Sequence, residues 1–201
     1  LLWQFHLSYL PPLMVYLAAG VSGLTAIVGT FFIKDYLGLS ASYLAGLAFW
    51  AGLPWTLKMP LGHLVDLWWR HKAWLGYLGA SLVAVSLLIM VGLIGFTESM
   101  LAVLPAESWF VISTLLAPTG YVIQDVVADA MTVEAVPLLD DQGEPYAESV
   151  IKNKHTTMQT FGRLAIIGGS ALVAAVNIMV FSGVGDMSEQ QQRDIYVKIY
   201  L

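Results

Sequence analysis

Three acidic residues interrupt an apolar stretch of the chain between residues 121 and 137, YVIQDVVADAMTVEAVP. Asp125 and Asp129 are four residues apart. An α-helix would place both carboxylates on one face, about 6 Å apart along its axis. In a lipid-spanning helix each carboxylate costs roughly 2.5–3.5 kcal/mol at the bilayer centre, so such residues face a protein interior or a wet cavity. The pair therefore predicts a polar site that pairs with cations, accepts hydrogen bonds or holds a proton.

Two cations lie in other apolar segments at a similar depth. Lys58 precedes Asp66 by eight residues, and Arg163 follows His155 by eight residues. At 1.5 Å per residue, each cation lies about 12 Å from the end of its segment, and Asp129 lies at the same depth. Cations and carboxylates at one depth offset each other's burial cost if their helices converge. A structural network that only fixes helix packing is the alternative.

The composition explains where such a site would lie. Hydrophobic residues make up 58% of the 201 residues, charged residues make up 11%, and the mean hydropathy is +0.72. These values are typical of an integral membrane protein. The net charge of −5 is too small and too scattered to suggest a nucleic-acid partner. The chain has no cysteine and no phosphate-binding or nucleophile motif, and its histidines lack ligand spacing, so neither an enzyme nor a metal or cofactor site is predicted.

Apolar segments organise the chain as a single transmembrane helical domain. Each of five segments is long enough to cross a bilayer core of about 30 Å, and a sixth begins near residue 195. The predicted spans cover residues 9–33, 41–66, 73–96, 109–136 and 156–181. The chain begins at Leu1 rather than Met and stops at Leu201 in an apolar run, so we expect a piece of a longer protein.

Basic residues predict the orientation of these spans. The second and fourth connections hold four basic residues and the opposite side holds two; they are Arg70, Lys72, Lys152 and Lys154 against Lys34 and Arg193. The positive-inside rule then places the even-numbered connections and the N-terminus in the cytoplasm.

Several stretches resemble known transporter families. Gly62–Asp66 followed by Arg70–Lys72 resembles the signature between helices two and three of major facilitator superfamily transporters. FFIKDYLGLS (31–40), GLPWTLKMPLGHLVD (52–66) and DVVADAMTVE (125–134) look like the folate–biopterin transporter family. Gln159 fits that family's pattern in helix five, while Gln124 beside Asp125 resembles the related muropeptide permeases.

The resemblance implies a fold and a function. The fold is the N-terminal portion of a twelve-helix major facilitator transporter, whose missing C-terminal half completes a central cavity. The function is secondary active transport of a folate- or pterin-like solute by alternating access, in a bacterial inner membrane, with protons as a candidate coupling ion. The implied solute-binding or coupling residues are Lys58, Gln124, Asp125, Asp129, Gln159 and Arg163.

A second implied set forms a cytoplasmic gate from Gly62, Asp66, Arg70 and Glu134. Asp66 and Arg70 would pair across the helix junction in one conformational state and separate in the other. Glu134, on a different face from Asp129, is a further expected partner for Arg70. A topology signal anchored by interfacial tryptophans is the alternative explanation.

Two other functions stay open at this point. The first is a proton-coupled permease for muropeptides or other anionic solutes. The second is a non-transporting membrane subunit or assembly factor of a larger complex. A packing subunit has little use for four charges at one depth, which favours a transporter.

Overall fold

The computed structural model describes residues 6–32, 40–140, 142–184 and 187–201, and no β-strand occurs in these ranges. After a 3-10 turn at Leu7–Tyr9, the helices are α1 (Leu10–Val21), α2 (Gly23–Phe32), α3 (Ala41–Thr56), α4 (Lys58–Leu67), α5 (Lys72–Gly95), α6 (Thr97–Leu101), α7 (Ala106–Ala135), α8 (Glu148–Phe181) and α9 (Glu189–Tyr200). Among the residues that the structure describes, four helical stretches are long and apolar enough to cross a membrane: Leu7–Ala26, Lys72–Gly95, Ala106–Ala135 and Glu148–Phe181. The prediction of an all-helical protein with membrane-length apolar helices is confirmed.

The first predicted span is divided at Ser22, between α1 and α2. The Ser22 hydroxyl donates a hydrogen bond to the carbonyl of Ala19 at 2.7 Å, and the Thr25 hydroxyl donates to the carbonyl of Ser22 at 2.8 Å. Hydroxyls that bond to the preceding turn are a known cause of helix bending. The predicted end of this span at Ile33, and Lys34 beyond it, lie outside the described residues.

The second predicted span is also divided, at Leu57, into α3 with 16 residues and α4 with 10 residues. Two prolines explain the break, because Pro54 and Pro60 have no amide hydrogen to donate to the preceding turn. The Leu57 amide turns back and donates to the carbonyl of Pro54 at 3.0 Å. Lys58 is therefore the first residue of α4 and lies directly at a helix break.

Two later helices begin before the apolar spans that hydropathy predicts for them. Those spans begin at 109 and 156, whereas the helices begin at Ala106 and Glu148. Hydropathy marks only the apolar part of a helix, and each of these helices has a glutamate in its first turn. The last helix begins at Glu189, ahead of the sixth apolar span near 195. The Ser40 and Ser188 side chains cap α3 and α9, since they accept hydrogen bonds from the amides of Tyr43 and Gln191.

Packing is dominated by two helix pairs, α5 with α7 and α1 with α8, while α7 also contacts α1, α3 and α4. Both pairs cross where glycine meets glycine. A Cβ atom added to Gly169 would lie 2.6 Å from the Leu17 carbonyl oxygen, and one added to Gly120 would lie 2.6 Å from the Gly79 carbonyl oxygen. Such backbone-to-backbone approaches are typical of membrane helices, which gain van der Waals contact where side chains are small. Helix α7 is thereby fixed at the centre of the bundle.

Candidate functional site

The two aspartates and the lysine predicted from the sequence meet between α4 and α7. The Lys58 Nζ atom lies 2.5 Å from Asp125 Oδ2 and 2.9 Å from Asp129 Oδ2. The two carboxylates share the face of α7 that the four-residue spacing predicts. Lys58 therefore forms an ion pair with each of the two aspartates. We call these three residues the charge cluster.

A fourth residue, Tyr16, contacts the charge cluster, and its role was not predicted from the sequence. The Tyr16 hydroxyl of α1 donates a hydrogen bond to Asp129 Oδ1 at 2.5 Å. Both oxygens of Asp129 are therefore engaged, one by the ammonium group and one by the phenol. The available signal was a tyrosine within an apolar span, because a buried phenol usually finds a hydrogen-bond partner.

Exposure separates the two carboxylates of the charge cluster. The side chain of Asp125 is 17% exposed, whereas those of Lys58 and Asp129 are 41% and 48% exposed. Two carboxylates against one ammonium leave a formal surplus of one negative charge when all three are ionised. The cluster can therefore bind a proton, a cation or a group that donates two hydrogen bonds. Within the described residues, no group of three His, Asp or Glu side chains is placed to hold a metal ion.

A cavity of about 590 Å³ lies between α2, α3, α5, α7 and α9, and no residue of the charge cluster lines it. Its polar atoms are mainly hydroxyls, contributed by Ser22, Thr25, Ser86, Ser113, Thr114, Tyr121 and Tyr200. The lining residue Trp55 precedes Lys58 by three positions, and Tyr121 precedes Asp125 by four, so cavity and cluster are neighbours along both helices. The volume falls within the range of about 300–1,000 Å³ that small-molecule sites occupy.

The other three residues predicted for solute binding lie apart from the charge cluster. The Gln124 side chain covers Gly79, where an added Cβ atom would meet its Cγ atom at 2.8 Å. Gln124 thus faces α5. Gln159 and Arg163 are exposed on α8, and Gln159 lines a shallow groove formed by that helix alone. No carboxylate in the described part of the chain forms an ion pair with Arg163. The roles of these three residues stay predictions.

The predicted gate residues are placed at the junction of α4 and α5 and at the end of α7. Glu134 forms an ion pair with Lys72 instead of the expected Arg70. Lys72 begins α5, which packs along α7, whereas Arg70 lies in the 3-10 turn before it. Asp66 and Arg70 are exposed, and neither forms an ion pair with another residue described by the structure. Gly62 is not required by packing, because an added Cβ atom would meet no atom within 4 Å.

Comparison with known proteins gives one informative similarity. The chain is 29% identical over 126 residues to a protein named folate-biopterin transporter from Synechocystis sp.. The match covers 61% of this chain and 23% of that protein, so the chain spans less than a quarter of the relative's length. No protein-family model and no solved structure matches the chain. Together with the four membrane-length helices, the similarity points to an integral membrane protein and suggests membrane transport.

Proposed function

We propose that the chain is part of a secondary transporter that carries a small folate- or pterin-like solute across the membrane by alternating access. The observation that carries this proposal is the charge cluster, which joins a broken helix to α7 inside a bundle of membrane-length helices. Broken helices and intramembrane charges are typical of transporter sites, because both are tolerated only where a cavity or another helix satisfies them. The adjoining cavity supplies room for a solute.

The geometry supports a different role for each of the two carboxylates. Asp125 is the less exposed and lies nearer to the ammonium of Lys58, so it holds the lysine in place. Asp129 is half exposed and accepts the solute. A pterin presents an N–C–NH2 edge that donates two parallel hydrogen bonds to one carboxylate. The glutamate carboxylates of a folate are natural partners for Lys58 once the solute has displaced Asp129.

The proposal also includes the topology, the coupling ion and the gate that the sequence predicts. The chain forms five spans and the start of a sixth in the N-terminal half of a major facilitator fold, with a cytoplasmic N-terminus in a bacterial inner membrane. A C-terminal half completes the cavity, and exposed Gln159 and Arg163 of α8 face it. Protons are the coupling ion. Asp66 and Arg70 form a gate that is open in this conformation.

Uptake by cells that express the whole protein tests this function. Labelled folate, labelled pterin and a labelled muropeptide are supplied separately to expressing cells and to cells with an empty vector. We expect uptake of folate or pterin above the empty-vector level, with no uptake of the muropeptide. Uptake of the muropeptide alone would favour the permease alternative. Uptake of none of the three, with the protein present in the membrane, would contradict the proposal.

A charge swap tests the ion pair between Lys58 and Asp129 separately from solute binding. The variant Lys58→Asp with Asp129→Lys keeps two carboxylates and one ammonium among the same three positions. Each single reversal places like charges next to each other, which breaks the pair at a high cost. We expect the double variant to resist thermal unfolding in detergent better than either single variant, although it lacks the carboxylate that accepts the solute. Equal stability of all three variants would argue against a pair between Lys58 and Asp129.

A further inference from the structure

The aromatic ring of Tyr16 packs against α8 at a position where only glycine leaves enough room. Tyr16 is buried, and its ring packs on Gly162 of α8. A Cβ atom at position 162 would lie 2.9 Å from the ring atom Cε2 and 3.0 Å from Cδ2. These distances are shorter than van der Waals contact, so an alanine would force the ring to move. Gly162 therefore sets where the phenol of Tyr16 lies.

The position of that phenol bears directly on the charge cluster. The hydroxyl lies 2.5 Å from Asp129 Oδ1, and the other oxygen of Asp129 lies 2.9 Å from Lys58 Nζ. The Asp129 side chain is 48% exposed, so packing does little to fix its orientation. The phenol and the ammonium together hold the carboxylate. Removing either contact frees it to rotate.

The ring of Tyr16 is held in place against α8 because the two helices also touch four residues further along α1. An added Cβ atom at Gly20 would lie 3.0 Å from the Cα atom of Gly169, so the two backbones touch there. Helix α8 contacts α7 far less than it contacts α1. A shift of α8 against α1 would therefore move the ring of Tyr16, and with it the hydroxyl that holds Asp129.

We infer that Tyr16, seated on Gly162, is a positioning residue that orients Asp129 for the solute. The inference about the contact stands on the geometry, and its consequence for uptake rests on the proposed function. Tyr16 touches Asp129 rather than the solute, so its loss weakens solute binding without removing the binding carboxylate. Gly162 acts one step further away, through Tyr16.

A thermal double-mutant cycle tests the contact without any solute. Tyr16→Phe removes only the hydroxyl, and Asp129→Leu removes its acceptor together with the ion pair to Lys58, which keeps Asp125 as a partner. We expect Tyr16→Phe to lower the midpoint of thermal unfolding of the detergent-solubilised whole protein by about 2–4 °C. In the Asp129→Leu background the same substitution should lower it no further. An equal drop in both backgrounds would overturn the inference.

Uptake kinetics test the positioning role. We expect Tyr16→Phe and Gly162→Ala to raise the KM for labelled pterin about tenfold, the loss expected for one hydrogen bond to a charged group, with Vmax within about twofold. Gly168→Ala on the same helix is the matched control, because nothing lies within 4 Å of its added Cβ atom. An unchanged KM in both variants would overturn the inference. Coupling in the thermal cycle without any wild-type uptake would contradict the proposed function alone.

Discussion

Helix α7 contacts α5 and α4 through two chemically different interfaces. The contact with α5 is close, apolar and joined by neutral hydrogen bonds, while the contact with α4 combines apolar packing by Val65 and Leu61 with a partly exposed cluster of charges. The serines that bond across the first interface are buried, whereas Lys58 and Asp129 in the second are 41% and 48% exposed. The difference indicates which neighbour of α7 moves with it and which can separate from it.

Paired serines hold α5 to α7 from within. The Ser86 hydroxyl donates to the Ser113 carbonyl at 2.8 Å, and the Ser113 hydroxyl donates to the Ser86 carbonyl at 3.1 Å. Both side chains are buried. Because each hydroxyl is satisfied by the partner helix, the pair has no polar group left for a solute to recruit. Helices α5 and α7 should therefore move as one body.

The ion pair between Lys72 and Glu134 belongs to this same body, because it joins the start of α5 to the end of α7. An ion pair inside a tightly packed pair of helices does not open when the pair moves. Glu134 is thus a weaker candidate for a gate than the sequence suggests. The exposed Asp66, in the last turn of α4, and Arg70, in the 3-10 turn that follows, are the better candidates.

The largest expected effect on stability comes from adding a methyl group where the backbones of α5 and α7 touch. In Gly120→Ala the new methyl would lie 2.6 Å from the Gly79 carbonyl oxygen, and backbone cannot move aside. Overpacking costs up to about 3 kcal/mol, of which about 1 kcal/mol is regained as helix propensity. We expect a net loss of about 2 kcal/mol in the free energy of unfolding, measured by thermal unfolding in detergent.

Gly46→Ala is the control for that substitution, because an added Cβ atom on α3 meets nothing within 4 Å. It should leave stability unchanged or raise it slightly. Equal stability of the Gly120 and Gly46 variants would show that α5 and α7 are not held at the distance described here.

A smaller effect is expected from the serine pair. Ser86→Ala removes one of the two reciprocal hydroxyls and leaves the Ser113 hydroxyl with the Ser86 carbonyl as its acceptor. Hydrogen bonds between membrane helices contribute about 0.6 kcal/mol on average, with a maximum of about 1.7 kcal/mol. We expect a loss near 1 kcal/mol in the same unfolding measurement. A loss as large as that of Gly120→Ala would mean that the hydrogen bonds, rather than close packing, dominate this interface.

The smallest effect is expected at the end of the same helix pair. Lys72→Met removes the ion pair with Glu134, in which the lysine side chain is 19% exposed and the glutamate side chain is 42% exposed. Ion pairs that water reaches contribute about 0–1 kcal/mol, so the change in unfolding free energy should be about 1 kcal/mol at most. Uptake should also be retained if α5 and α7 move together. Loss of uptake in this variant, at normal protein levels, would restore the gate role of Glu134.

The sequence predicted the charge cluster because its evidence is local. A four-residue spacing determines that Asp125 and Asp129 share a helix face, and counting residues from the segment end places Lys58 at their depth. The helix break at Leu57 was not predicted, although the prolines that cause it were visible. Hydropathy averages across a break and reports a single apolar segment.

The contribution of Tyr16 could not be predicted, since it depends on how α1 packs against α8. A tyrosine in an apolar span faces lipid, a neighbour or a cavity according to rotation about the helix axis, which the chain's apolar character does not specify. The same ambiguity explains why Arg163 lies apart from the charge cluster. Its depth suggests the charge cluster, but α8 turns its glycine face to α1 and leaves Arg163 exposed on another face.

Uptake by Asp129→Asn shows whether the charge cluster binds the transported solute. The amide has nearly the same size, loses the charge and cannot accept two hydrogen bonds from a pterin edge. The control is Glu98→Gln, which neutralises an exposed acid outside the cluster. At equal amounts of protein in the membrane, we expect Asp129→Asn to abolish uptake of labelled folate or pterin and Glu98→Gln to preserve it. Undiminished uptake by Asp129→Asn would contradict the account.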